Sequence, residues 1–181
     1  MREPPGTTAR PAYVAVVGPG DPGPGAPGEV RPGDLDAAAE VGRLLAAAGA
    51  VLVCGGLGGV MRAACRGARE HDPPGLTVGF LPGGRHGDGN EFLAVELPTG
   101  LGELRNGLVA AGADAVVAVG GSWGTLSEVA LAMRAGKPVF QVGGWTVRPA
   151  DGGRVPRRAA DAAQAVAGAL AAIREFREGS A

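Results

Sequence analysis

Apolar residues follow two alternating patterns along the chain: short unbroken runs and stripes of helical spacing. Tyr13–Val17, Ala50–Cys54, Leu76–Phe80, Ala115–Val119 and Pro138–Val142 are the runs, and Phe92–Leu97 is a further short one. A continuous apolar run suits a strand covered on both faces of a parallel sheet. Between the runs lie the stripes. Val41, Leu44, Leu45 and Ala48 form the first, with Asp34 as N-cap and Gly49 as stop. Met61, Ala64, Cys65 and Ala68 form the second, and Glu103–Ala111 reads as a short helix. Leu126, Val129, Ala130 and Met133 form another, opened by Thr125 and closed by Gly136 and Pro138. Ala163, Val166, Leu170 and Ile173 place a core-facing stripe on a last helix, Ala159–Arg177, after an unresolved polar connection at 147–156. Strands alternating with helices predict an α/β fold, a central parallel sheet with helices on both faces.

Composition narrows this. The chain has 181 residues, 45% of them hydrophobic, which suits one globular domain with a real core. Residues 12–178 are expected to form it, behind a disordered tail at 1–11. Net charge is −1 with no basic face, so nucleic acid is not an expected partner. No run approaches membrane-spanning length and Met1–Pro5 opens no apolar leader, so we expect a cytoplasmic protein that does not engage a membrane. Cys54 and Cys65 are expected as buried thiols rather than a disulfide, and no spacing reads as a metal site.

The glycines carry the candidate chemistry. Gly18-Pro19-Gly20-Asp21-Pro22-Gly23 matches G-x-G-x-x-G, but a dinucleotide fingerprint opens directly into a helix. Here Pro22, Pro24, Pro27 and Pro32 hold the chain out of a helix until about Asp34, and residues 23–33 read as a mobile loop. Gly18 and Gly20 still leave backbone that a ligand can approach. Gly55–Gly59 holds more glycines than a turn alone needs. Leu81–Glu91 reads as a surface loop, in which His86 is more naturally solvated than functional; His71 sits at a helix end. Gly120, Gly121 and Gly124 join a strand to a helix N-terminus, where free N–H groups and a partial positive charge suit a phosphate. Glu128 lies near that site. Thr125-Leu126-Ser127-Glu128 fits a capping box, and a carboxylate there also suits a reaction; the two roles are compatible. All these turns follow a strand or open a helix, so they converge on the carboxyl edge of the sheet.

Gly120-Gly121-Ser122-Trp123-Gly124-Thr125-Leu126-Ser127-Glu128 resembles the Pro-Gly-Gly-x-Gly-Thr-x-x-Glu signature of the Lonely Guy (LOG) family, long mislabelled lysine decarboxylases. Thr99-Gly100-Leu101-Gly102-Glu103-Leu104-Arg105-Asn106 matches around that family's arginine, and Gly55–Met61 is a third shared element. The resemblance spans about Tyr13–Val142 and is closest to a sister branch that includes molybdenum-cofactor carriers. It implies a Rossmann-like three-layer fold and a homodimer. It implies Arg105 and Glu128 as catalytic residues. It implies ligand or phosphate contacts at Gly18, Gly20, Gly55, Gly56, Gly58, Met61, Thr99, Gly100, Asn106, Gly120, Gly121, Ser122, Gly124 and Thr125.

Two functions stay open from the sequence. The first is a phosphoribohydrolase that cleaves a nucleoside 5′-monophosphate to free base and ribose 5-phosphate. Glu128 would then stabilise the oxocarbenium-like transition state, with Arg105 binding substrate or keeping Glu128 ionised. No cofactor is required for this. The second is a non-catalytic carrier of molybdenum cofactor or a related pterin phosphate. Val119 in place of the signature proline, Asn106 in place of a lysine, and Gly18-Pro19-Gly20 without serines favour the carrier. Retention of both Arg105 and Glu128 sets the hydrolase first.

Overall fold

The computed structural model describes residues 10–21, 30–150 and 152–179. In chain order these form β1 (Tyr13–Val17), α1 (Pro32–Ala47), β2 (Val51–Cys54), α2 (Val60–Arg69), β3 (Thr77–Leu81) and β4 (Val95–Pro98). A 3-10 turn, Gly102–Arg105, then leads into α3 (Asn106–Ala111). β5 (Ala115–Val119), α4 (Trp123–Arg134), β6 (Val139–Val142), β7 (Arg157–Ala159) and α5 (Ala162–Glu178) complete the chain. The strands make one seven-stranded sheet in the order β4-β3-β2-β1-β5-β6-β7, every pairing parallel. This is the Rossmann-like α/β fold.

The apolar runs are double-faced, as expected of central parallel strands. Val14 and Val16 pack with Val41 and Leu45 of α1, Ala64 and Cys65 of α2, and Val166 of α5. Ala15 and Val17 point the other way, into a second core with Val109 of α3 and Val129 and Ala132 of α4. One strand thus feeds two helical layers through its period of two. Each fully buried leucine, such as Leu45 or Leu52, contributes about 1.5–3 kcal/mol of burial. α1 and α2 pack backbone to backbone. A Cβ on Gly42 would overlap the Ala64 carbonyl oxygen, and one on Gly67 would overlap that of Ala39.

Several elements depart from the pattern. α1 begins at Pro32, not at Asp34. Its N-cap is Arg31, and Pro32 sits in the first turn, where its missing N–H costs nothing. Asp34 is the third helical residue; its carboxylate reaches back to the Arg31 N–H at 3.3 Å and to the Arg31 guanidinium. In α4 the buried face is Thr125, Glu128, Val129 and Ala132. Of the expected stripe only Val129 is buried, while Ala130 is exposed. α5 starts at Ala162 under an Asp161 cap, because 157–159 pairs with β6 as an edge strand too short to show a pattern. Its buried face is Ala165, Val166, Ala169, Ala172 and Ile173, with Ala163 exposed and Leu170 half-buried. Alanines fill most of that face, so periodicity in large apolar residues missed it. Of the expected tail, residues 1–9 lie outside the described residues. Arg10 and Pro11 are held: the Arg10 guanidinium donates to Asp114 at 2.7 Å, and Arg177 donates to both their carbonyls. Residues 23–29 of the expected loop also lie outside the described residues. Among the described residues no helix is long and apolar enough to cross a membrane.

Candidate functional site

β1 and β5 are neighbours, but the chain leaves β1 towards β2 and leaves β5 towards β6, on opposite sides. Ligands in such sheets bind in the crevice that this switch opens at the carboxyl edge. Gly18 follows β1 and Gly120 follows β5, and the crevice holds a cavity of about 140 Å³. Its lining combines Gly18 and Gly20, Leu57 and Met61, Glu103, Arg105 and Asn106, and Ser122, Gly124, Thr125 and Glu128.

The floor is the start of α4. Gly120 has φ +67°, the left-handed region that favours glycine, which turns the chain from β5 into the helix. Ser122 is the N-cap: its Oγ accepts from the Thr125 N–H at 3.2 Å and lies 2.9 Å from the Thr125 hydroxyl. The expected cap at Thr125 is therefore displaced by one turn. Glu128 has no part in a capping box, because its carboxyl is turned inward and buried. The other early N–H groups of the first turn have no intrahelical partner, and Ser122, Gly124 and Thr125 of this turn line the cavity.

One wall is Arg105, the last residue of the 3-10 turn, buried although charged. Its guanidinium lies against the Gly55 backbone; a Cβ there would stand 2.6 Å from Nη2. Nη1 donates to Asn106 Oδ1 and lies 3.5 Å from Glu128 Oε1. Asn106 Nδ2 donates to Ser127 Oγ at 2.8 Å, and Ser127 Oγ donates to the Gly124 carbonyl at 2.7 Å. Arg105 is thereby tied to the first turn of α4. Its Nε is buried with no hydrogen-bond partner among the described residues.

Arg105 does not keep Glu128 ionised in this cavity. Burial pushes the Glu128 carboxyl up to about 8, outweighing the lowering by the Arg105 charge, and Glu103 raises it further. Burial thus favours the protonated form of this carboxyl, which can donate a hydrogen bond.

Of the residues anticipated at the site, Gly18, Gly20, Met61, Arg105, Asn106, Ser122, Gly124, Thr125 and Glu128 come together on the cavity. The others do not line it. Gly55 backs Arg105; Gly56 packs on Leu81 and Leu93; Gly58 abuts the Asp21 carboxylate, which accepts from the Gly59 N–H at 3.0 Å. The Thr99 hydroxyl donates to the Leu81 carbonyl at 2.8 Å, with Gly100 beyond it. Gly120 packs beside Asp34 and Pro19, and Gly121 against Trp145 and Gly144. His86 is exposed, 4.0 Å from Glu96, and His71 is half-buried beside the Pro73 carbonyl. Cys54 and Cys65 are free and buried with sulfurs 3.6 Å apart, and the bond to Cys54 and burial push the Cys65 thiol up, which disfavours its reactive thiolate. No group of three metal-ligating side chains occurs among the described residues.

The sequence pattern missed Leu57 and Glu103, which flank residues it did single out. It also missed the turn after β6. A Cβ on Gly144 would overlap the Gly120 carbonyl oxygen, and Gly121 lies against the Trp145 indole, whose Nε1 donates to the Ser122 carbonyl at 3.2 Å. Gly143-Gly144-Trp145 thus props the floor from behind. The paired glycines were the available signal.

A helix N-terminus, a buried arginine and a buried carboxyl meet in a cavity at the switch point of a Rossmann-like parallel sheet. The chain belongs to the SLOG cluster4 family, whose model matches residues 11–172. An uncharacterized protein of Archaeoglobus fulgidus is 44% identical over 103 residues, 56% of this chain and 66% of that protein, just under two thirds of its length. The fold is similar to that of the molybdenum cofactor binding protein of Rippkaea orientalis, with TM-score 0.76, 30% identity, and coverage of 94% of this chain and 99% of that one. It is similar also to the molybdenum cofactor carrier protein of Chlamydomonas reinhardtii, with TM-score 0.75, 32% identity, and coverage of 91% and 99%.

Proposed function

We propose that the protein binds and carries a small phosphate-bearing ligand of the pterin class, molybdenum cofactor or a close relative, without cleaving it. The observation that carries this is Arg105: a buried guanidinium on the cavity wall whose Nε lacks an acceptor, beside a helix N-terminus. A phosphate in the cavity would accept from the Arg105 guanidinium that lines it and lie on the α4 N–H groups, as in other helix-terminus anion sites. Thr125, Ser122 and Asn106 add hydroxyl and amide partners, and a protonated Glu128 donates rather than repels. The similarity to carriers along nearly their full length supports the same reading. The test is anaerobic incubation with molybdenum cofactor followed by gel filtration. The pterin is expected to elute with the protein; pterin left wholly in the small-molecule fraction would overturn the proposal.

The Arg105–Glu128 pair favours a second reading, the phosphoribohydrolase. It requires an ionised Glu128 opposite an oxocarbenium ion, and burial works against that charge. Release of adenine from adenosine monophosphate would establish it. We also propose a homodimer. Leu104 on the 3-10 turn is 80% exposed, and Leu101 just before it, Leu108 on α3 and Leu131 on α4 are exposed too. A second copy covering them would remove that apolar surface from water. Light scattering at micromolar concentration is expected to give twice the monomer mass; monomer alone would contradict it.

A further inference from the structure

A second cavity, of about 530 Å³, lies at the amino edge of the sheet, the end opposite the crevice. Asp114 and Pro138, immediately before β5 and β6, Arg157 at the start of β7, and Ala172, Ile173 and Phe176 near the end of α5 all line it. Its volume falls within the range, about 300–1,000 Å³, of pockets that take a whole small molecule. Ala172 and Ile173 are buried and, with Pro138, give it an apolar lining, to which Phe176, 75% exposed, adds a ring.

Four cations, Arg10, Lys137, Arg157 and Arg177, share this lining with two carboxylates, Asp114 and Glu175. Three of the cations are accounted for by their partners. Arg10 and Arg177 donate to Asp114, at 2.7 and 3.0 Å, and Lys137 Nζ donates to the Ala113 carbonyl and, at 3.0 Å, to that of Ala111. Arg157 differs. Its guanidinium lies over the Phe140 ring, 5.4 Å from the centroid, and no carboxylate pairs with it among the described residues.

The balance of charge decides what fits. The cations exceed the carboxylates by two, and the carboxyl ends of α4 and α5, at Ala135 and Gly179, return about half a unit of negative charge each. About one positive charge is left over, on a chain whose net charge is −1. That surplus matches a monoanionic head group rather than a doubly charged phosphate. The planar fork of an unpaired guanidinium suits a carboxylate, and the apolar lining suits a body the size of a ring.

We propose that this cavity binds a small monocarboxylate with an apolar body, its carboxylate on Arg157 and its body on Pro138, Ala172, Ile173 and Phe176. It is a second ligand site, separate from the crevice in place and in the charge of what it takes, and it does not depend on the phosphate site.

The test is a titration of the isotope-labelled protein followed by amide NMR shifts. Benzoate is the probe, with acetate as the head without the body and benzyl alcohol as the body without the charge. Benzoate is expected to shift the amides of Gly136, Lys137, Arg157 and Ile173, and to leave those of Ser122 and Thr125 unmoved. Acetate and benzyl alcohol bind at least about ten-fold more weakly, each lacking one of the two contacts. Arg157→Ala weakens benzoate about ten-fold, the value of one charge-assisted contact, and leaves benzyl alcohol unchanged. Arg157→Lys, which keeps the charge without the fork, recovers only part of the loss. Benzoate that leaves every one of the cavity amides unmoved overturns the second site, wherever else it binds. Acetate as tight as benzoate overturns it too, since the cations alone then hold the ion, as does an Arg157→Ala variant that keeps the full affinity for benzoate. Inorganic phosphate added to the same sample reports on the crevice through Ser122 and Thr125, so either site can fail alone.

Discussion

Arg105 Nη1 and Glu128 Oε1 lie 3.5 Å apart, both side chains almost wholly buried, and yet the carboxyl is pushed up to about 8. The separation is long for a charge-assisted bond, and burial costs the ionised form more than one guanidinium returns. The carboxyl therefore holds its proton in the folded protein and loses it in the unfolded chain at any pH between its ordinary value of 4.5 and about 8. The native state binds more protons across that window, so its stability falls as pH rises through it. Glu128→Gln, which cannot ionise, removes this fall. Melting curves from pH 5 to pH 9 are expected to show the variant gaining on the wild type up to about pH 8 and running parallel above it. A constant difference across the range would show that Glu128 is ionised throughout.

Gly55 bears on Arg105 by making room. With a methyl group 2.6 Å from Nη2, Gly55→Ala forces the guanidinium out of position. Inorganic phosphate titrated into this variant is expected to bind about ten-fold more weakly, the value of one charge-assisted contact. The melting temperature should move little, because Arg105 is displaced rather than removed. Unchanged phosphate affinity would place the anion elsewhere.

Gly42 has a purely structural demand on it. Its α-carbon meets the Ala64 carbonyl of α2 so closely that Gly42→Ala must push the two helices apart. Urea unfolding is expected to show a loss of about 1–3 kcal/mol, the usual cost of overpacking, despite the better helix propensity of alanine. A stabilised variant would mean that the α1–α2 contact yields freely.

Ser122 caps α4 through its bond to the Thr125 N–H. Ser122→Ala is expected to cost about 1 kcal/mol in urea unfolding, whereas Thr125→Ala leaves that bond in place and should cost less. The reverse order would restore Thr125 as the cap.

The strands were legible because each central run is buried on both faces, so it needs no periodicity to stand out; Ala115–Val119 is the plainest case. The crevice was legible because Gly18, Gly20, Ser122, Gly124 and Arg105 follow strand ends or open helices, and a parallel sheet collects such positions on one edge. The α4 cap was misread because Ser122 and Thr125 are both competent caps three residues apart, and only the fold shows which is in the extended conformation. The α4 and α5 faces were misread because alanine and a buried glutamate, not large apolar residues, fill them. The protonation of Glu128 was not legible at all. It depends on how much water Arg105 and its neighbours leave around the carboxyl, a property of packing between elements distant in the sequence.

The most direct measurement is the crystallographic position of the phosphate in a complex with neopterin 3′-phosphate. Its oxygens are expected within about 3 Å of the first-turn N–H groups of α4 and of the Arg105 guanidinium, with the ligand intact. A phosphate bound away from Gly124 and Arg105, or a ligand cleaved in the site, would contradict a carrier that holds its cargo at this helix terminus.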